Sequence, residues 1–226
     1  MAVVFDFDGV LVDSVAPVTS SINAALREHG LAQRPPAQLR SLIGPPTFAA
    51  FSELLGAPDD SPAVAAVVAT YRAHYAAVYL TSTRVFDGIV AMLEGLIAHM
   101  QHQRAEPVVG GLAIATSKSS DFAQPLLDSL GLAPFFAVTA AADPQARGDD
   151  KLAVVGRALA GLGVSEATMV GDRSFDMHAA RAHGLRAVGV SWGIGSVAEL
   201  RTAGAEAIAD SPAELLTLLV GAAGGR

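Results

Sequence analysis

The segment Val3-Val4-Phe5-Asp6-Phe7-Asp8-Gly9 constrains this chain more than any other. A short apolar run of this kind, close to the N-terminus, reads as a buried strand. The run stops abruptly at two carboxylates separated by one residue, and a glycine follows. Two like charges at the end of a buried strand are costly unless something neutralises them. Mg²⁺ is the simplest candidate, because it prefers oxygen ligands and is usually held by one or two carboxylates plus a phosphate and waters. One carboxylate is then free to attack and the other to shuttle a proton. The bland alternative is an ordinary Asp-Gly turn, and the rest of the chain decides between the two.

After Ser14 the pattern becomes helical. The spacing predicts helices at 17–30, 47–56 and 61–80, with a proline-broken stretch at 33–46 between the first two. Nothing between 15 and 84 reads as a strand. From 85 onward the chain alternates. Helices are expected at 87–103, 119–130, 149–162, 174–183 and 212–220. Strands are expected at 111–116, 135–139, 167–171, 186–190 and near 206–209. Alternation of this kind implies βαβ units and a parallel sheet covered on both faces. The fold class is therefore α/β, a doubly wound, mostly parallel sheet made from 1–14 and 85–226, with an all-helical second domain inserted at 15–84.

Composition narrows the function. The chain has 226 residues and is 51% hydrophobic, with a mean hydropathy of +0.41, so a sizeable core is available. No uninterrupted apolar stretch reaches the roughly 18 residues that a membrane helix needs. A net charge of −7 and a pI near 5.2 argue against nucleic-acid binding through a basic surface. There is no cysteine, so disulfides and thiolate metal sites are excluded. With no basic leader visible, a cytoplasmic location is expected. Of 15 basic residues only two are lysine, Lys118 and Lys151. An ammonium differs chemically from a guanidinium, so their positions matter.

Both lysines fall where the predicted strands end. Asp6 and Asp8 close the first strand, and Thr116-Ser117-Lys118 close the strand at 111–116. Asp149-Asp150-Lys151 open the next helix but one, and Gly171-Asp172 with Asp176 follow the strand at 167–171. In open α/β sheets, ligands bind at the carboxyl ends of the strands. Four clusters far apart in sequence are thus brought to one crevice.

These four clusters resemble, in order, the motifs of the haloacid dehalogenase-like (HAD) hydrolase superfamily, in its phosphatase branch with a helical cap. The first reads DxDGxLxDS at 6–14 and the last GDxxxD at 171–176. Leu42 to Pro46, Ala115 to Lys118 and Gly171 to Arg173 further resemble phosphoglycolate-phosphatase-like proteins. The resemblance implies a Rossmann-like core, a cap at 15–84, and a Mg²⁺-dependent phosphatase acting on a small phosphorylated metabolite. Asp6 would be the nucleophile that forms an aspartyl-phosphate, and Asp8 the general acid and base. Mg²⁺ would be held by Asp6, the backbone carbonyl of Asp8 and Asp172, with Asp176 orienting this shell. Thr116 would bond a phosphoryl oxygen, with help near Ser117. Lys151 would neutralise phosphate and Asp6, with Lys118 behind it.

Alternatives on the same scaffold are a sugar phosphomutase similar to β-phosphoglucomutase and a 5′-nucleotidase. A dehalogenase would leave Asp8, Asp172 and Asp176 without purpose, and a receiver-like signalling module would need no cap. Asp13 and Ser14 read as a helix cap or hinge, without chemistry. His99 and His102 form an H-x-x-H without the further ligands of a zinc site. Gly193 and Gly195, after Trp192, lie in a turn-rich loop bordering the site. Arg40, Tyr71, Arg72 and Arg84 are the candidates for substrate contact within 15–84, where an arginine fork would suit a carboxylate.

Overall fold

A computed structural model of the chain describes residues 1–102, 110–144 and 149–221. In chain order the elements are β1 (Ala2–Phe5), β2 (Val12–Asp13), α1 (Val15–Glu28), α2 (Pro36–Leu39), α3 (Thr47–Leu55), α4 (Pro62–Ser82), β3 (Arg84–Val85), α5 (Ile89–His102), β4 (Gly111–Ser119), α6 (Ser120–Ser129), β5 (Val138–Ala142), α7 (Lys151–Leu162), β6 (Thr168–Gly171), α8 (Ser174–Ala182), β7 (Arg186–Val190), α9 (Val197–Ala203), β8 (Ala207–Ala209) and α10 (Pro212–Gly221). Six strands form one sheet in the order β5-β4-β1-β6-β7-β8. Every pairing in it is parallel.

The first strand is central because its side chains are apolar in both directions. Val3 and Phe5 face one cluster, which includes Leu93, Leu96, Leu126 and Leu215. Ala2 and Val4 face the other, which includes Val154, Val155, Met177 and Leu200. A period of two with both phases buried leaves no place for β1 but the middle of a two-sided sheet. The chain builds outward from β1 to β4 and β5, then crosses back to lay β6 on the other side of β1. That reversal opens a crevice at the carboxyl ends of β1, β4 and β6.

α1 to α4 stand between β2 and β3, which pair antiparallel with Val12 opposite Val85 and Asp13 opposite Arg84. This two-residue ribbon closes the base of the helical insertion and is too short to show in sequence. α1 and α4 pack on each other, and α4 also meets α6. Tyr71, Tyr75 and Tyr79 lie on one face of α4 at spacings of four. Tyr71 and Tyr75 stack with ring centroids 5.8 Å apart, and Phe122 of α6 meets Tyr75 edge-on at 5.0 Å.

Three expectations need correction. The strand expected at 135–139 is β5, which starts three residues later, because Pro134 begins a 3₁₀ turn at Ala133–Phe135. Phe136 instead packs edge-on against Phe5. The strand expected at 111–116 runs on to Ser119 through an irregularity between Thr116 and Ser119. No helix is expected between the strand at 186–190 and that near 206–209, yet α9 lies there: Ser196 caps it by accepting from Glu199 N–H, and Gly204 ends it in the left-handed region. Position 103, the expected last residue of the helix at 87–103, lies outside the described residues. Among the described residues, no helix is long and apolar enough to cross a membrane.

Candidate active site

The end of β1 delivers Asp6 into the crevice, 3% exposed. Its Oδ1 accepts from Phe7 N–H at 2.7 Å and meets Lys151 Nζ at 2.7 Å. Among the described residues nothing holds Oδ2. Lys151 is the first residue of α7, whose N-cap Asp150 accepts from Ala153 N–H and so fixes the helix start. Its ammonium also meets Asp176 Oδ1 at 2.9 Å and donates to the Ala115 carbonyl at 3.0 Å, which closes its donor set. Burial works against the Lys151 ammonium, but the Asp176 and Asp6 carboxylates outweigh it and hold its pKa above the ordinary value.

Asp172 follows β6 and is fully buried. Oxygens of Asp6, Asp172 and Asp176 lie within 4.8 Å of one another. Asp176 is engaged on both oxygens, because Oδ2 accepts from Arg173 N–H in a capping box at the start of α8. Asp172 Oδ2 accepts from Ile194 N–H at 2.6 Å, whereas its Oδ1 is buried without a hydrogen-bond partner among the described residues. Burial, together with the charges of Asp176 and Asp6, lifts the Asp172 pKa well above its ordinary value. Burial likewise pushes Asp6 up to about 7, with Lys151 pulling it down and Asp176 and Asp8 adding repulsion.

Three carboxylates against one ammonium leave a buried surplus of negative charge and an orphaned oxygen. That donor set is all hard oxygen, which fits Mg²⁺ and excludes soft-ligand metals. Two glycines make room for it. A Cβ on Gly9, whose φ is +84°, would stand 2.1 Å from Asp172 Oδ2, and one on Gly193 would stand 2.4 Å from Asp172 Cβ. The side chain of Asp8 is outside this group.

Asp8 instead faces the other way. Its Oδ1 accepts from Ser14 Oγ at 2.5 Å and its Oδ2 meets Lys118 Nζ at 3.1 Å. Lys118 Nζ also donates to Tyr75 Oη at 2.6 Å. Burial opposes the Lys118 charge, and Asp8, Tyr75 and Tyr71 more than offset that, so its pKa is raised. Burial also raises the Tyr71 and Tyr75 hydroxyls. Thr116 is buried at the end of β4, and its Oγ1 accepts from Lys118 N–H at 3.1 Å. Ser117 Oγ is buried with no hydrogen-bond partner among the described residues.

These groups line a chamber of about 70 Å³ between the strand ends and the helical insertion. Asp6, Asp8, Thr116, Ser117 and Lys118 form its floor. Ile22, Leu42, Phe51, Tyr71 and Tyr75 form its roof, and Arg72 is the one guanidinium in its lining. Arg72 also donates to the Pro144 carbonyl at 3.3 Å. Arg40 reaches the Gly193 carbonyl instead, and Arg84 bonds the Thr81 and Thr83 carbonyls. Asp149 pairs with Arg157 and not with Lys151, and His102 Nδ1 bonds the Ala98 carbonyl of its own helix.

Sequence reasoning missed three contributors. Ser14, read as a cap, makes no side-chain cap bond and holds Asp8. Ile194 N–H fixes Asp172, and Trp192 Nε1 anchors that loop to the Val10 carbonyl. Gly193 and Gly195, on either side of Ile194, were the available signal, since a loop rich in small residues beside a strand end permits close backbone approach. Tyr75 carries no local signal for its contact with Lys118, which depends on packing 43 residues away.

Comparisons with known proteins agree with this geometry. The chain matches the model of haloacid dehalogenase-like hydrolases over residues 3–190. It is 34% identical over 218 residues to the probable phosphatase IndB of Dickeya dadantii, covering 95% of this chain and 91% of that protein. It is 33% identical over 225 residues to the phosphoglycolate phosphatase of Rhodospirillum rubrum, covering 95% and 88%. A predicted phosphatase from Clostridium acetobutylicum superposes with a TM-score of 0.88 at 28% identity, over 97% of this chain and 98% of that one. The strand-end carboxylates, the buried lysine and these matches together make the chain a member of the haloacid dehalogenase-like hydrolase family.

Proposed function

We propose that the protein is a Mg²⁺-dependent phosphatase that hydrolyses a small phosphate monoester through an aspartyl-phosphate, with phosphoglycolate as the leading substrate. The observation that carries this reading is Asp6 itself. One of its oxygens is clamped by Lys151 and Phe7 N–H while the other has no holder among the described residues, and Asp6 lines the chamber. That oxygen attacks phosphorus, the bond from phosphorus to the ester oxygen breaks, and Asp8 gives its proton to the departing alkoxide. A water then attacks the phosphorus, Asp8 takes its proton, and the Asp6–phosphorus bond breaks to release inorganic phosphate.

Lys151, Thr116 and the unpartnered Ser117 Oγ stabilise the charge on the transferring group. Asp6, the Asp8 carbonyl and Asp172 would hold Mg²⁺, with Asp176 orienting them. Bound there, Mg²⁺ would screen the carboxylates and neutralise phosphoryl charge. The helical insertion serves as the cap that excludes bulk water. The small chamber favours a short leaving group, and Arg72 suits a carboxylate on it. The similarity to a phosphoglycolate phosphatase supports the same choice.

The test is phosphate release from a panel of phosphorylated metabolites with and without Mg²⁺. 2-Phosphoglycolate should lead the panel, and Asp6→Asn should lower turnover at least roughly 10³-fold. Undiminished release from the Asp6→Asn protein would end the assignment.

A further inference from the structure

The contact from the roof of the chamber to its floor, Tyr75 Oη to Lys118 Nζ to Asp8 Oδ2, crosses from the helical insertion to the sheet. We infer that Tyr75 is a positioning residue: its hydroxyl holds the Lys118 ammonium against Asp8, so the proton-handling carboxyl is aligned only while α4 is seated over the site. The inference rests on the assignment of Asp8 as general acid and base.

Four observations carry it. First, Lys118 sits 7% exposed at the side chain, a burial that an ammonium tolerates only with partners. Among the described residues its Nζ has two side-chain partners, Asp8 on the sheet side and Tyr75 on the helical side. Second, Nζ lies 2.6 Å from Tyr75 Oη and 4.8 Å from the ring centroid, so the ammonium sits at the hydroxyl end of the ring and meets Tyr75 through that oxygen. Third, Tyr75 is itself 1% exposed and wedged between Tyr71, Tyr79 and Phe122, so its ring is held in place beside Lys118. Fourth, the opposite oxygen of Asp8 is held by Ser14, at the other end of the insertion.

A carboxyl bonded to Ser14 on one side and to Lys118 on the other has its orientation set by α1 and α4 together. If α4 lifts, Lys118 loses its hydroxyl partner. The ammonium is then free to follow solvent, and Asp8 keeps only Ser14. Proton delivery to the leaving group is thereby tied to closure, while attack by Asp6, held by Lys151, is not.

Tyr75→Phe removes the hydroxyl and keeps the ring. The probes are 4-nitrophenyl phosphate, whose leaving group needs little proton assistance, and 4-methoxyphenyl phosphate, which has similar bulk and needs more. kcat/KM for the methoxy ester should fall about tenfold further than for the nitro ester, as misdirected general-acid help predicts. Lys118→Gln should show the same skew, and adding Tyr75→Phe to it should change the ratio no further, since both act through one chain of contacts. Equal losses on both esters, additive effects in the double variant, or failure of both single variants to fold would overturn the inference by giving Tyr75 a purely structural role. Turnover surviving in Asp6→Asn would instead strike the underlying assignment.

Discussion

At the scale of single residues, the site is an exercise in holding charge where charge does not want to be. Asp172 is the clearest case. It is buried, one oxygen is pinned by Ile194 N–H, and Gly9 leaves just enough space beside it. Gly9→Ala would press a methyl group into the Asp172 carboxylate and would also force alanine to φ +84°, which costs about 1–2 kcal/mol on its own. Asp172 cannot move aside without giving up its bond to Ile194. The variant should therefore lose about 2–4 kcal/mol of stability, and its affinity for Mg²⁺ should fall at least roughly tenfold. Thermal melting without metal and calorimetric titration with Mg²⁺ separate the two effects. An alanine variant with unchanged Mg²⁺ affinity would mean that the carboxylate beside it is not part of a metal shell.

Among the elements, α7 matters most, because its first residue clamps Asp6. Its start is fastened twice, by the Asp150 cap and by Asp149. Asp149 Oδ1 and Oδ2 each meet an Arg157 nitrogen at 2.7 Å, and Oδ2 also accepts from Asp143 N–H. The Arg157 hydrogen bonds, opposed in part by burial, hold the Asp149 carboxyl below its ordinary value of 3.8. A depressed value in the folded state contributes stability above pH 3.8, which is lost as pH falls through the folded value. Asp149→Asn should thus cost about 1 kcal/mol at pH 7, a discounted figure because the Arg157 side chain is 46% exposed. The gap between wild type and variant should close as urea melts are repeated at pH values falling below 3.8. The same segment shows how legible the chain is. The lysine at 151 could be placed from its position at a predicted helix start, and Asp6, Asp8, Asp172 and Asp176 from their place after apolar runs. These are local facts of sequence. The partner of Asp149 was not legible, nor was the contact of Tyr75, because each depends on where a remote element comes to rest. The shift of β5 was partly legible, since Pro134 forbids a regular strand at that point. α9 carried capping signals in Ser196, Glu199 and Gly204, but its glycine-rich neighbourhood hid it.

For the whole molecule, folding and function pull in opposite directions. Arg173 donates to the Ser41 and Ile43 carbonyls and Arg40 to the Gly193 carbonyl, so residues on either side of Asp172 bind the insertion to the sheet. That closure buries three carboxylates around a single lysine. Burial raises Asp6 from 3.8 to about 7, the Asp172 pKa is raised in the same direction, and groups with raised carboxylate values favour the folded state most when protonated. Their contribution is present below pH 3.8 and is lost as pH rises through about 7. Metal-free protein should accordingly lose stability between those limits. Mg²⁺ at 100 times its dissociation constant restores roughly 2.7 kcal/mol, a rise of roughly 5–11 °C in melting temperature for a chain of this size. Asp172→Asn should do the reverse of an ordinary buried substitution: it removes one of the repelling charges, so the metal-free variant should melt above metal-free wild type at pH 8, and Mg²⁺ should shift it little. Differential scanning calorimetry on both proteins, with and without Mg²⁺ at pH 5 and pH 8, measures all four quantities. A wild type whose melting temperature ignores Mg²⁺ at pH 8, or a variant that melts lower there without metal, would show that the carboxylates are already balanced by the protein and have no need of a cation.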